Sequence, residues 1–216
     1  MSLVFVTGGT GYLGRPMIAA LLERGHTVHG LARRGSEHKL PAGAAAVVGD
    51  ALDASTFGAA IPRGATVVHL VGTPHPNPSK AAEFKRVDLQ SIRATASAAR
   101  EAGAGHLVYV SVAHPAPVMH AYIAARSAGE ALVRATGLPA TILRPWYVLG
   151  PGHYWPYLLV PMYAILRRLA ATRDTALRLG LVTRAQMVNA LVRAVADPPY
   201  AVRIVEVSEI VAASRR

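Results

Sequence analysis

Leu3-Val4-Phe5-Val6-Thr7-Gly8-Gly9-Thr10-Gly11-Tyr12-Leu13-Gly14 is the stretch that decides the fold. Its first five residues are uncharged, and three of them are β-branched and one aromatic. Such a run reads as a buried strand. The glycines come next, and Tyr12 to Arg24 then carries Leu13, Ile18, Leu21 and Leu22 at helical spacing before Gly25 ends it. Gly9, Gly11 and Gly14 have the G-x-G-x-x-G spacing between a strand and a helix. Gly9 and Gly11 lack a Cβ where the backbone must come close to a ligand, and Gly14 lets helix and strand pack together. The N–H groups that open the helix are then free for an anion, and the helix dipole favours one. Gly8, Gly9, Thr10, Gly11, Tyr12, Leu13 and Gly14 are therefore expected to hold the pyrophosphate of a dinucleotide. A structural glycine turn without a ligand is the alternative.

Outward from this unit the chain repeats the alternation. Strands are predicted over His26 to Ala32, Ala45 to Val48, Thr66 to Val71, His106 to Ser111 and Pro139 to Leu143. Asp53 is placed to cap a short helix through Ala60. Long helices are predicted over Lys80 to Ala102 and Met119 to Thr136. Near-continuous apolar strands alternating with helices imply a parallel sheet covered on both faces. Right-handed crossovers make it an α/β doubly wound parallel sheet, a Rossmann fold. After Pro145 the alternation stops. A Gly/Pro/aromatic loop is expected through Tyr157, then helices near Met162 to Ala171 and Ala185 to Ala196, a strand over Val202 to Val207, and a polar tail. Residues 1–216 read as one domain, with a dinucleotide-binding core over 1–145 and a small substrate-side helical appendage over 146–216.

The second strand ends Leu31-Ala32-Arg33-Arg34-Gly35-Ser36. A fold that prefers NAD places an acid about 20 residues after the glycines, on the ribose 2′-hydroxyl. Here Arg33 and Arg34 stand instead, and guanidinium geometry suits a 2′-phosphate. NADP(H) is expected in preference to NAD(H); solvated surface arginines are the alternative. Asp50 and Leu52, after the third strand, suit an adenine edge and face, or Asp50 is a turn cap.

Thr7 to Gly14, Gly49-Asp50-x-Leu52, Tyr122-x-x-x-Arg126 and Leu143-Arg144-Pro145 occur in the order seen in the short-chain dehydrogenase/reductase superfamily. The chain most resembles its atypical and extended branches, the NAD-dependent epimerase/dehydratases and the NmrA-like NAD(P)H-binding proteins. The resemblance implies a catalytic Ser at the end of the fifth strand, a Tyr acid/base, and a Lys four residues after it. Ser111 and Tyr122 match the first two roles. Tyr122 and Arg126 share a helix face by spacing alone. Residue 126 is Arg where the family has Lys. A guanidinium stays charged, so it can favour the tyrosinate and bond ribose hydroxyls, but it cannot relay a proton as a neutral amine. The resemblance also implies that Val71 and Gly72 approach the cofactor ribose, that Pro145 lines the nicotinamide with Trp146 and Tyr147, and that the two long helices form a homodimer.

The formal net charge is +11, from 23 Lys+Arg against 12 Asp+Glu. The cations are dispersed and not interleaved with aromatics, which argues against nucleic acid. Without cysteine there is no disulfide or thiolate metal site. His114, His120 and His153 lack metal-ligand spacing, so no metal is expected. No run reaches the roughly 18 apolar residues of a membrane span, and no leader precedes the first strand, so the expected location is cytoplasmic. The first functional reading is an NADP(H)-dependent oxidoreductase or epimerase/dehydratase-like enzyme acting on a small carbonyl or hydroxyl substrate. A non-catalytic NAD(P)H-binding regulator or assembly factor is the second. A third, a membrane-associated quinone or isoprenoid enzyme, rests on the apolar Tyr157 to Leu166 stretch.

Overall fold

A computed structural model describes residues 1–151 and 170–213. Seven parallel strands form one sheet in the order β3-β2-β1-β4-β5-β6-β9. They are β1 (Leu3–Thr7), β2 (Thr27–Ala32), β3 (Ala45–Val48), β4 (Thr66–His69), β5 (His106–Val110), β6 (Ala140–Arg144) and β9 (Val202–Glu206). The order reverses beside β1, where β2 lies on one side and β4 on the other. In such sheets the crevice beyond the strand carboxyl ends, at that reversal, is where ligands bind.

Alternation along the strands builds two cores. Val4 and Val6 join Met17, Ile18, Leu21, Leu191 and Val195 on one face. Phe5 joins Phe57, Ile92, Leu107, Tyr109 and Ile142 on the other. The first face is covered by α1 (Gly14–Glu23) and α6 (Arg184–Ala196). The second is covered by α3 (Gln90–Glu101) and α4 (His120–Ala135). A period of two therefore serves both layers, because each strand is buried on both sides.

The long helix expected over Lys80 to Ala102 is interrupted. A short α2 (Ala81–Glu83) runs into a π-helical segment, Phe84–Leu89, before α3. The wider turn accompanies Phe84 and Asp88, both buried within it, and π segments of this kind recur at functional sites. Asp53 does cap the next turn, accepting from Ser55 N at 3.0 Å, but that turn is 3₁₀ (Ala54–Thr56) and is followed by a second, Gly58–Ala60.

Two expectations about the C-terminal third are corrected. The loop after Pro145 contains a strand, β7 (Tyr147–Leu149), paired in parallel with β8 (Leu181–Thr183). Three-residue strands carry too little pattern to be read locally. The polar tail is in fact helical over α7 (Val207–Ala212), and β9 ends at Glu206 because Glu206 and Glu209 form a reciprocal cap. Its apolar residues Val207 and Ile210 are buried in the core. Between these, α5 (Ala170–Arg178) precedes β8. The Tyr157 to Leu166 stretch, His153 and most of the Met162 to Ala171 helix lie outside the described residues. No described helix is long and apolar enough to cross a membrane.

Candidate active site at the carboxyl edge of the sheet

The glycine turn is built as tightly as its spacing implies. Gly8 has φ +77°, and a Cβ there would stand 2.9 Å from Leu70 C and 3.0 Å from Val71 N. A Cβ on Gly9 would meet Ile18 Cδ1 at 2.9 Å, and one on Gly14 would run into Gly8 O and lie 2.7 Å from Gly9 Cα. The turn closes on the Gly11 N–H, which donates to Gly8 O at 3.0 Å. Leu13 opens α1 without a side-chain cap, and no acid occupies the first turn. Within the first turn Arg15 N already donates to Gly11 O at 3.2 Å and Pro16 has no N–H; a helix start without a side-chain cap beside a glycine cradle still fits a pyrophosphate. Thr10 and Tyr12 are half-buried on this turn, with the Arg184 guanidinium 5.3 Å over the Tyr12 ring.

The two arginines after β2, Arg33 and Arg34, are both exposed. Asp50 is exposed as well, and its Oδ1 accepts from Leu52 N at 3.0 Å, which is the turn-cap geometry. Leu52 is half-buried, and its carbonyl accepts from Gln90 Nε2 at 3.1 Å. Pro145 is buried, and its carbonyl accepts from Ala113 N at 2.9 Å, which extends the β5–β6 ladder beyond the strands.

Beyond β4 and β5 lies a second set of groups. Tyr122 is half-buried on the first turn of α4, with its ring centroid 5.0 Å from that of Phe84. The Arg126 guanidinium carbon sits 5.2 Å from the Tyr122 centroid. Arg126 is buried. Its Nη1 donates to Val110 O at 2.9 Å, and its Nη2 forms a 2.7 Å ion pair with Asp88 Oδ1. Burial opposes the Arg126 charge, but Tyr122, Tyr109 and Asp88 outweigh it and raise the pKa above the ordinary value. Asp88 Oδ2 accepts from both Thr73 N (3.0 Å) and Thr73 Oγ1 (2.5 Å). One carboxylate therefore ties the loop after β4 to α4. Gly72 is where the guanidinium passes; a Cβ there would collide with Arg126 Nη2. Arg126 Nε is buried without a partner among the described residues, a donor that a cofactor hydroxyl could satisfy.

Ser111, at the end of β5, is buried, and its hydroxyl donates to Glu130 Oε1 at 2.7 Å. Glu130 also accepts from Arg144 Nε at 2.8 Å and Nη2 at 2.5 Å, and Arg144 reaches Glu206 at 3.1 Å. Burial alone would raise the Glu130 pKa, but the Arg144 and Ser111 hydrogen bonds reverse it and hold the carboxyl below its usual range. His69, at the end of β4, is fully buried. Burial, and secondarily the Arg126 charge, lower its pKa to about 3. The neutral ring meets hydroxyls on both nitrogens: Thr7 and Thr95 at 2.8 and 3.0 Å on Nδ1, and Ser91 at 3.3 Å on Nε2. Asp88, Glu130 and His69 escaped the reading of the sequence. None of the three had a local signal, because their side-chain partners are 14 to 62 residues away.

The profile of the NAD(P)H-binding family matches residues 8–198. A ceramide reductase of Caulobacter vibrioides (strain NA1000 / CB15N) is 35% identical over 157 residues, covering 69% of this chain and 47% of that protein. A 4-hydroxy-2-methyl-3-oxo-4-farnesyl-3,4-dihydroquinoline-1-oxide ketoreductase of Stigmatella aurantiaca is 28% identical over 168 residues, covering 68% of this chain and 50% of that one. The chain spans about half the length of the curated relatives it matches. Among solved structures, a UDP-galactose 4-epimerase superposes with a TM-score of 0.69 at 21% identity, covering 94% of this chain and 77% of the other. The Bordetella bronchiseptica enzyme WbmH in complex with NAD+ gives 0.68 at 21% identity, covering 95% and 75%. These two share the fold. With a glycine cradle at the strand-order reversal and a profile match from Gly8 to Pro198, the chain belongs to the NAD(P)H-binding family.

Proposed function

We propose that the protein is an NADP(H)-dependent oxidoreductase or epimerase/dehydratase-like enzyme acting on a small carbonyl or hydroxyl substrate. The observation that carries this reading is Tyr122, half-buried on the first turn of α4, with a permanent cation 5.2 Å from its ring. In this reading the Gly8 to Gly14 turn holds the pyrophosphate. Arg33 and Arg34 pair with the 2′-phosphate, Asp50 and Leu52 border the adenine, and Val71, Gly72 and Pro145 approach the ribose and nicotinamide. The dinucleotide, when bound, supplies or takes the hydride. Tyr122 gives or takes the proton of the substrate oxygen. Arg126 lies beside the Tyr122 ring, and its Nε–H, without a partner among the described residues, is available to a ribose hydroxyl. The reductase names of the curated relatives support this reading.

Tyr122→Phe keeps the ring against Phe84 and removes only the hydroxyl. It should lower kcat by roughly 100-fold or more and leave NADPH affinity intact by calorimetry. A wild type that turns over no carbonyl in a broad panel overturns the reading. Two observations favour the alternative, a non-catalytic NAD(P)H-binding regulator or assembly factor. The Ser111 hydroxyl proton is already given to Glu130, and the Arg126 charge is already paired with Asp88.

A further inference from the structure

Next to Tyr122 lies a cavity of about 350 Å³, lined by Pro78, Phe84, Val118, Met119, His120, Ala121 and Tyr122. None of these carries a permanent charge; His120 is the one titratable group besides Tyr122. We propose that this cavity is the subsite for a hydrocarbon tail, so that the substrate is a carbonyl or hydroxyl compound with an aliphatic or isoprenoid chain and not a nucleotide sugar. The proposal deepens the reading above and rests on it for the position of the reacting oxygen.

Three observations converge. The first is composition. A diphosphate is clamped by cations, and this lining has neither Lys nor Arg; its backbone N–H groups are those of the α4 start, His120 to Tyr122, and Pro78, Phe84, Val118 and Met119 around them are apolar. The UDP-galactose 4-epimerase that shares the fold is named for a nucleotide sugar; these walls suit the opposite chemistry. The second is shape. At about 30 Å³ per group of water size, the volume takes roughly ten methylenes. Tyr122 forms one wall, so a tail lying here leaves its head within reach of that residue. Val118, on the rim, is 52% exposed, a large apolar side chain that a tail would cover. The third is backbone. Met119 has φ +62°, in the left-handed region that an unbranched apolar side chain rarely enters. Such strain persists where the surroundings over-determine it, often at ligand sites. It turns the chain into α4 and puts Met119 on the cavity wall. The facing loop is fixed as well: Lys80 Nζ donates to Pro74 O at 2.7 Å, and the Asn77 side chain accepts from Ser79 N at 3.0 Å.

The test is a homologous series of 2-alkanones, from butanone to dodecan-2-one, reduced with NADPH by the full chain. The expected result is a kcat/KM that rises about fourfold per added methylene and levels off near ten carbons. Ala121→Phe should flatten that slope, with retained NADPH binding showing an intact fold. A parallel readout needs no turnover: dodecan-2-one should displace the neutral fluorophore N-phenyl-1-naphthylamine from wild type, and not from Ala121→Phe. Turnover that is indifferent to chain length overturns the tail subsite and keeps the proposed activity. Displacement without turnover of any ketone does the reverse: it upholds the apolar subsite and overturns the proposed activity. UDP-glucose that competes more strongly than dodecan-2-one for the fluorophore also overturns the inference.

Discussion

The two halves of the carboxyl edge are built on opposite terms. Around β1 and β2 the polar groups face outward and wait. The α1 start has no cap, and Arg33 and Arg34 are exposed. Around β4, β5 and α4 the charges are buried and answered from within: Asp88 by Arg126 and Thr73, Glu130 by Ser111 and Arg144. A phosphate site works by leaving donors unsatisfied until the ligand arrives. On the α4 side the charges are fixed in place, because burial demands that each have a partner. The first half is therefore sensitive to sterics and to ligand. The second is sensitive to the loss of either member of a pair.

The largest expected effect breaks the first half by sterics. Gly14→Val forces side-chain atoms into Gly8 O and Gly9, backbone that cannot yield locally. Denaturant unfolding should show a loss of about 3 kcal/mol or more, and NADPH binding should disappear. Next, Asp88→Ala leaves the Arg126 charge buried and unpaired, at a cost of about 3–5 kcal/mol by the same measurement. If instead its stability matches wild type, the guanidinium has found water or ligand space, and the contrast between the two halves fails. The smallest effect sharpens the cofactor side. Arg33→Ala should weaken NADPH about tenfold by calorimetry, the worth of one charge-assisted pair, and leave NADH unchanged. Equal weakening of both would place Arg33 outside the 2′-phosphate site.

How far the molecule was legible follows the same division. The glycine turn, the strand alternation and the long helices are local patterns, and the observed elements match the expected ones to within about two residues at most ends. The strand over Thr66 to Val71 is two residues shorter than expected: it ends at His69, Leu70 N makes a last bond to Thr7 O at 3.0 Å, and Leu70 and Val71 back the Gly8 turn. The paired short strands β7 and β8 were not legible, since their pattern lies in a contact across 34 residues.

By itself the sequence determined the fold class, the glycine turn and the unusual Arg126, because each is written in neighbouring residues: periodicity, missing Cβ atoms, a spacing of four. Only the tertiary structure decided what Arg126 and Ser111 are bonded to, and that Gly72 makes room for a guanidinium. Those facts depend on the register between elements far apart in the chain. A buried charge takes its partner from whichever element packing brings beside it, and no local pattern names that element.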